Sequence, residues 1–285
     1  MTANSDALVN VNWLAERIGD ANLKILDCSW YLPQEKRDPF VEYKNAHIPS
    51  AIFLEWEACS GEESTQTAFY LPTSEQFRIY TASLGISADD FVVAYDAEGI
   101  HSIAARAWWM FRVFGHTNVA LLDGGMRAWK QAGLQVEARI LSIVPVERTP
   151  VRYNRKLMRN HNQMRANLKT AAEQIIDLRA RGRYLGTAVS HEKRPGRIPG
   201  AINLPVGDCI DKDDHTLLSM VEMRSLIKEA GIDLNKPTVA YCGGGGSSPV
   251  FAFGAYLLGY PDVAIYDGAY EDWSNHLDAP IKRGE

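Results

Sequence analysis

The sequence predicts an α/β protein made of two similar domains, each a mostly parallel sheet with helices on both faces. Short β-branched strand patterns alternate with longer helix patterns along the whole chain, which is typical of strand–helix–strand units. The same order of elements occurs in both halves, which indicates a duplication. A chain of 285 residues has room for two domains of ordinary size.

The first half contains the elements of one such domain. In chain order they are a helix at 11–18, a strand at 23–28, a helix at 74–84, a strand at 91–95, a helix at 102–115, a strand at 119–125 and a short helix around Trp129. Apolar residues recur at helical spacing in the helices, and the strands are rich in β-branched residues. Ser74 is the predicted cap of the second helix, and Gly19 and Gly85 follow the first two helices as natural ends.

The second half repeats this order at offsets that drift slowly along the chain. The matched pairs include Asp27 and Asp177 at an offset of 150, Tyr95 and Tyr241 at 146, and Trp129 and Trp273 at 144. Such regular offsets indicate two whole duplicated domains. We therefore predict a first domain at 1–140, a basic, proline-containing linker at 141–165 and a second domain at 166–285.

Residues 237–260 combine a buried strand, a glycine run and an apolar helix. The strand pattern ends at Tyr241, Cys242 follows it, and four glycines come next. We expect Ser248 to cap the helix and Pro249 to occupy its first turn, where a missing N–H is harmless. Open parallel sheets bind ligands at the C-terminal ends of their strands. Cys242 therefore lies where this fold places its chemistry.

The glycine run predicts an activated thiolate at Cys242. Backbone N–H groups and the positive end of the helix dipole are expected to surround the sulfur and stabilise negative charge. The residues that form this predicted cradle are Gly243, Gly244, Gly245, Gly246, Ser247 and Ser248. Such surroundings lower a cysteine pKa from about 8.5 to about 3.5–7.5. The alternative is a buried, inert cysteine beside a flexible turn, for which four glycines are costly in chain entropy.

Two other anion-binding loops fit this segment less well. A phosphate-binding nucleotide loop requires a lysine after its glycines, and none is present here. A cysteine phosphatase requires an arginine six residues after the nucleophile, and Ser248 stands there. The loop therefore favours a thiolate that acts on something other than phosphate.

Composition argues against several classes of protein. The net charge of −5 argues against a nucleic-acid partner, and no apolar run is long enough to span a membrane. The first ten residues resemble neither a signal peptide nor a transit peptide. The cysteines at 28, 59, 209 and 242 have no metal-binding spacing. We expect no metal, no cofactor and a reducing, cytoplasmic setting, with a mitochondrial one left open.

The first half has no equivalent nucleophile. Asp96 matches Cys242, in a predicted loop at 96–101 that contains Glu98 and lacks the glycine run. A carboxylate cannot act as a sulfur nucleophile. The second domain is therefore predicted to be catalytic and the first to be structural.

Six further motifs are spread over nearly the whole chain. They are AHIP at 46–49, RAWWMFRVFGH at 106–116, LDGG at 122–125, GRYLGT at 182–187, GRIPGA at 196–201 and IYDG at 265–268. Together they resemble the two-domain rhodanese family, the sulfurtransferases that act on thiosulfate and 3-mercaptopyruvate. The resemblance implies two tandem rhodanese-like domains.

The resemblance also implies a reaction. In the family, the cysteine at the position of Cys242 takes a sulfane sulfur from a donor, holds it as a persulfide and passes it to a thiol or cyanide, which is covalent catalysis. Ser247 matches a family hydroxyl that bonds to the sulfur, and on general grounds it could equally help to cap the helix. Arg183 matches the arginine that binds the donor's carboxylate or sulfonate, a task that suits a guanidinium.

The loop departs from both donor classes of the family. Thiosulfate-using members have arginine and lysine where this chain has Gly243 and Gly244, and mercaptopyruvate-using members have glycine and serine. The histidine and aspartate that work with that serine match Phe69 and Glu57, so this relay is predicted to be absent. We expect poor turnover of thiosulfate and some preference for mercaptopyruvate.

The sequence is best interpreted as a sulfurtransferase with a small anionic sulfur donor and a thiol acceptor such as thioredoxin or glutathione. A second donor-binding arginine is missing, and Lys193 or Arg194 are the candidates to replace it. The alternative is a rhodanese-like sensor or binding protein. It would use Cys242 for reversible oxidation or persulfide storage, with little turnover.

Overall fold

Two five-stranded, all-parallel sheets with the same strand order form the centre of the structure, a computed structural model that describes residues 5–62, 69–99, 103–190 and 192–285. The strand orders are β1-β5-β4-β2-β3 and β6-β10-β9-β7-β8. The strands of the first sheet are β1 Leu8–Val9, β2 Leu23–Asp27, β3 Ala51–Phe53, β4 Phe91–Tyr95 and β5 Val119–Leu122. Those of the second are β6 Met158–Arg159, β7 Gln174–Asp177, β8 Ile202–Asn203, β9 Thr238–Tyr241 and β10 Ala264–Tyr266. The predicted fold class is confirmed.

Helices connect the strands of each sheet. In the first domain they are α1 Val11–Ala15, α2 Pro39–Asn45, α3 Ser74–Ser83, α4 Ala104–Val113 and α5 Gly125–Gln131. In the second they are α6 His161–Thr170, α7 Arg181–Leu185, α8 Met220–Glu229, α9 Ser248–Leu257 and α10 Ala269–Asn275. None of the helices in the described ranges is long and apolar enough to cross a membrane.

Equivalent residues of the two domains make equivalent contacts, which confirms the duplication. Tyr95 lies at the end of β4, and its hydroxyl accepts a hydrogen bond from the N–H of Ile48 at 3.3 Å. Tyr241 ends β9, and its hydroxyl accepts from the N–H of Ile198, also at 3.3 Å. These tyrosines join the central strand of each sheet to the loop before its edge strand.

Some predicted boundaries differ from the structure by a few residues. The linker predicted at 141–165 ends inside α6. Because β6 pairs with β10, the second sheet begins at Met158. Thr73, not Ser74, caps α3, because its side chain accepts from the N–H of Gln76. The predicted loop end at 101 and helix start at 102 lie outside the described residues.

Helices α4 and α9 form the interface between the domains. Nearly every residue of both helices is buried, and one apolar core contains residues of both domains. The ring of Trp108 on α4 packs edge-on against Phe253 and Tyr256 on α9, with centroids 4.8 and 5.2 Å apart. A helix that is apolar all round must be covered on every side. The apolar character of α4 and α9 therefore follows from their position between two sheets.

Asp96, the first-domain equivalent of Cys242, is held by backbone N–H groups although its loop lacks a glycine run. The carboxylate is 1% exposed. Its Oδ1 accepts from Glu98 at 3.1 Å and from Gly99 at 2.7 Å. Its Oδ2 accepts from Ile103 at 3.1 Å and from Ala104 at 3.2 Å. The carboxylate thus ties the loop after β4 to the beginning of α4.

Replacing Asp96 with alanine should destabilise the first domain. The change leaves four N–H groups without their acceptor in a buried place, and each unpaired buried donor costs about 1–3 kcal/mol. We expect a loss of at least about 3 kcal/mol in the free energy of unfolding, measured by urea denaturation. Asp89→Ala, at an exposed position, is the control and should be nearly neutral. An Asp96→Ala protein with an unchanged urea midpoint would show that these hydrogen bonds are dispensable.

Candidate active site

Cys242 directly follows β9 and lines a cavity of about 520 Å³. Its side chain is almost fully buried, 3% exposed. The cavity is lined from the second domain by Arg183, Gly243 and Ser247, and from the first by aromatic and charged residues. The cysteine therefore faces a space that both domains enclose.

The loop after Cys242 is held by its carbonyl oxygens. The carbonyls of Cys242 and Gly243 accept from the N–H groups of Tyr270 at 3.0 Å and Glu271 at 2.9 Å, in the first turn of α10. The carbonyl of Gly244 accepts from the N–H of Phe69 at 2.8 Å, and that of Gly245 from the Arg106 guanidinium at 3.1 Å. Four consecutive carbonyls are thus bound by groups outside the loop.

Gly245 presents its N–H to the sulfur. Gly245 N lies 3.2 Å from Cys242 Sγ and donates a hydrogen bond to it. Gly245 has φ +88°, a conformation that side-chain-bearing residues rarely adopt. A Cβ atom there would lie 3.1 Å from Arg106 Nη1 and from the carbonyl oxygens of Asp267 and Phe69. The crowding explains why this position requires glycine.

Arg106 and Asp267 join the domains beneath this loop. Arg106 lies on α4 and is 1% exposed. Its Nη1 donates to Gly245, and its Nη2 donates to Asp267 Oδ1 at 3.1 Å. Asp267 follows β10, and its other oxygen accepts from the N–H of Leu71 at 2.7 Å. A buried ion pair between the domains therefore bears directly on the residue that contacts the sulfur.

The two serines at the start of α9 differ from the prediction. The helix begins at Ser248, so Ser247 is the N-cap residue, and its side chain makes no capping hydrogen bond. Ser247 instead lines the cavity, which favours the sulfur-facing alternative over the capping one. Ser248 was predicted to cap, and this is wrong: its Oγ is buried without a hydrogen-bond partner. Pro249 lies in the first turn as predicted.

Arg183 lies beside the loop and pairs with an acid. It is on α7, its side chain is 28% exposed, and it lines the cavity. Its Nη2 contacts the carboxylate of Glu192, which is buried. A Cβ atom at Gly243 would lie 2.5 Å from Arg183 Nη2. A side chain at position 243 would therefore displace the Arg183 guanidinium from its present place.

The two candidates for a second donor-binding cation lie elsewhere. Lys193 is exposed and is not among the described residues that line the cavity. Arg194 turns toward the end of α10, where its guanidinium donates to the carbonyls of Ser274 and Ala279, among others. Carbonyls at a helix end attract a cation because the helix dipole is negative there. The structure thus corrects the expectation that Arg194 replaces the missing arginine.

The first domain contributes a cavity wall that the sequence analysis did not identify. Its lining residues are Trp30, Tyr31, Leu32, Glu35, Arg37, Phe69, Glu98 and Ile103. Arg37 stacks on Tyr31, with Cζ 3.6 Å from the ring centroid, and pairs with Glu98 at 2.5 Å and Glu42 at 2.7 Å. Most of these residues follow β2 and β4. The rule that parallel strands carry sites at their C-terminal ends could have pointed to them in both domains.

Phe69 and Glu57, the residues matched to the family's histidine and aspartate, line different cavities. Phe69 packs edge-on against Trp30 at 5.0 Å in the cavity wall. Glu57 lines a separate cavity and not the one at Cys242. The position matched to the family's histidine is therefore occupied by an apolar aromatic ring that forms part of the cavity wall.

The other three cysteines are buried in the apolar core. Cys28, Cys59 and Cys209 are free thiols with at most 1% exposure. Burial raises the pKa of Cys209 to about 12, and it raises the pKa of Cys28 and Cys59 as well. These thiols are therefore protonated and shielded at neutral pH.

Comparison with known proteins identifies the family. The rhodanese-like domain profile matches residues 10–132 and 160–276. The chain is 39% identical to the 3-mercaptopyruvate sulfurtransferase of Homo sapiens over 275 residues, which covers 94% of this chain and 91% of the relative. It is 38% identical to the thiosulfate sulfurtransferase of Gallus gallus over 283 residues, covering 97% and 96%.

A solved structure agrees with these relatives. SseA from Escherichia coli, described as a 3-mercaptopyruvate sulfotransferase with the rhodanese fold, superposes with a TM-score of 0.84 at 32% identity, covering 92% of this chain and 98% of SseA. The chain is therefore similar over nearly its whole length to both a 3-mercaptopyruvate and a thiosulfate sulfurtransferase. The chain belongs to the rhodanese family, as a two-domain sulfurtransferase of the thiosulfate/3-mercaptopyruvate type.

Proposed function

We propose that Cys242 carries a sulfane sulfur as a persulfide between a small anionic donor and a thiol or cyanide acceptor. This proposal rests on the hydrogen bonds that groups outside the loop donate to its four consecutive carbonyls. They leave the N–H of Gly245 directed at the sulfur, 3.2 Å away. A fixed N–H donor stabilises a thiolate or persulfide anion without reorganising during the reaction.

In the first half of the reaction, the Cys242 thiolate attacks the sulfur of the donor. With 3-mercaptopyruvate, the new S–S bond forms as the C–S bond breaks, and the electron pair leaves as the enolate of pyruvate, which takes up a proton. With thiosulfate, the leaving group is sulfite. In both cases the sulfur remains on Cys242 as a persulfide.

In the second half, an acceptor thiolate attacks the outer sulfur of the persulfide. The S–S bond to Cys242 breaks, the acceptor leaves as a persulfide, and the Cys242 thiolate is restored. Thioredoxin and glutathione are acceptors of suitable chemistry. The four cysteines are free thiols, which fits the reducing, cytoplasmic setting that we propose.

Charge in the cavity favours a monocarboxylate over the thiosulfate dianion. The two arginines that line it are both paired: Arg183 with Glu192, and Arg37 with Glu42 and Glu98. Little positive charge is therefore left over to bind a second negative charge on the donor. The Arg183 guanidinium also fills the place where a side chain at position 243 would stand. We infer that Arg183 is the donor contact and that 3-mercaptopyruvate is the better donor.

Cys242 should be the fast-reacting cysteine. Iodoacetamide at neutral pH, followed by mass spectrometry, is expected to label Cys242 first. Cys242 lines the cavity, whereas the other thiols lie in the apolar core and their pKa values are raised. Cys242→Ser should abolish the fast phase and sulfur transfer, and Cys209→Ser should leave the fast phase unchanged. Faster labelling of Cys28, Cys59 or Cys209 would contradict the proposal.

Arg183 should set the response to the donor. We expect kcat/KM to be higher for 3-mercaptopyruvate than for thiosulfate. Arg183→Gln should lower the mercaptopyruvate value about 10–100-fold, the equivalent of one charge-assisted hydrogen bond. Arg181→Gln is the matched control, because Arg181 is exposed, pairs with Glu285 and is not a described lining residue. A clear preference for thiosulfate, or equal losses in the two variants, would refute this assignment.

A further inference from the structure

Three potential metal ligands meet at one side of the second domain, away from the residues of the proposed reaction. His161 is the first residue of α6, Asp272 lies on α10, and His276 directly follows that helix. One ligand atom from each residue lies within 4.8 Å of the others. None of the three lines the Cys242 cavity. The sequence analysis missed this cluster because 111 positions separate its first two members.

The contacts within the cluster are long hydrogen bonds, and they bring its ligand atoms close enough together for one ion. His276 Nε2 is 3.3 Å from Asp272 Oδ1. His161 Nδ1 is 3.2 Å from the Tyr266 hydroxyl and 3.5 Å from Asp272 Oδ2. Charge-assisted N–H···O bonds are usually shorter, about 2.7–2.9 Å. Two ligands bound tetrahedrally at about 2.0–2.1 Å from a zinc ion lie about 3.3 Å apart. The two nitrogens therefore stand at ligand spacing from the carboxylate.

Outer partners hold the carboxylate in place. The hydroxyl of Tyr266, at the end of β10, donates to Asp272 Oδ2. The hydroxyl of Tyr70, from the first domain, donates to Oδ1 at 3.2 Å. Hydrogen bonds of this kind orient ligating carboxylates in metal sites.

The cluster is open to solvent on the side of His276. The His276 side chain is 45% exposed, whereas His161 and Asp272 are each 18% exposed. The two imidazole rings stack with centroids 3.7 Å apart, and the exposed His276 ring has room to turn toward an ion. Solvent access provides an entry path for the ion and room for water as a further ligand.

We propose that His161, Asp272 and His276 bind one divalent transition-metal ion, of the class that prefers imidazole together with carboxylate, such as zinc, cobalt or nickel. Bound metal would join the beginning of α6 to α10. The first turn of α10 supplies the N–H groups of Tyr270 and Glu271 to the Cys242 loop. The ion would thus stabilise the helix that supports the catalytic loop, without taking part in sulfur transfer.

The test uses full-length, tag-free protein with Cys242→Ser, because a reactive thiolate would itself capture metal. Calorimetry with Zn²⁺ and visible spectroscopy with Co²⁺ should show one equivalent bound, with a tetrahedral cobalt spectrum that zinc abolishes. His276→Gln in the same background should weaken binding at least about tenfold, the loss seen even for outer-shell partners. Asp278→Asn, a nearby exposed carboxylate paired with Arg165, is the matched control and should retain the affinity.

Any of three results would overturn the proposal. The first is the absence of saturable binding of Zn²⁺ or Co²⁺ by the Cys242→Ser protein. The second is unchanged affinity in His276→Gln, and the third is an equal loss of affinity in Asp278→Asn. Circular dichroism checks that the His276 variant is folded. If it were unfolded, the stoichiometry and the cobalt spectrum of the protein with its histidines intact would decide. None of these readouts depends on sulfur transfer, so the proposed function can fail or stand independently.

Discussion

The structure depends on how the carbonyls of one glycine-rich loop are bound. A peptide that directs its N–H inward must direct its carbonyl outward, and a buried carbonyl needs a donor. The carbonyls of residues 242–245 find theirs in the first turn of α10, in Phe69 and in Arg106. Without such partners, a run of glycines would sample many conformations. These four contacts therefore fix a segment that would otherwise be flexible.

Two of the four donors, Phe69 and Arg106, come from the first domain, so that domain helps to hold the loop after Cys242. Arg106 reaches Gly245 from α4, and its charge is balanced by Asp267 of the second domain. Burial raises the pKa of the Asp267 carboxyl, and the Arg106 guanidinium opposes that rise. Breaking a buried pair by removing one partner typically costs about 3–5 kcal/mol, whereas removing both charges is often tolerated. Variants of this pair can therefore separate its effect on the stability of the protein from its effect on the position of Gly245.

Local patterns in the sequence were sufficient to predict the fold and to place the proposed nucleophile after a strand. The strand before Cys242 and the apolar helix after it are contiguous in the chain, and the repeat located the inactive equivalent at Asp96. Contacts between distant segments were not predictable in this way. Arg106 and Gly245 are 139 positions apart, and nothing in the spacing of either residue indicates the other. Arg194 is close to the site in the sequence, but its guanidinium donates to carbonyls at the end of α10.

We infer that Arg106 does more than hold the domains together: by binding the Gly245 carbonyl it positions the residue whose N–H donates to the sulfur. The direct measurement is the single-turnover rate at which 3-mercaptopyruvate loads Cys242 with sulfur, followed by mass spectrometry, together with urea unfolding. Arg106→Met is compared with Arg106→Met/Asp267→Asn, which removes both charges while the amide oxygen can still accept from Leu71. We predict that the double variant regains most of the stability lost in the single one. It should still load sulfur at least about tenfold more slowly than the wild type, because one hydrogen bond to the loop is lost. A double variant that is stable and loads sulfur at the wild-type rate would contradict it.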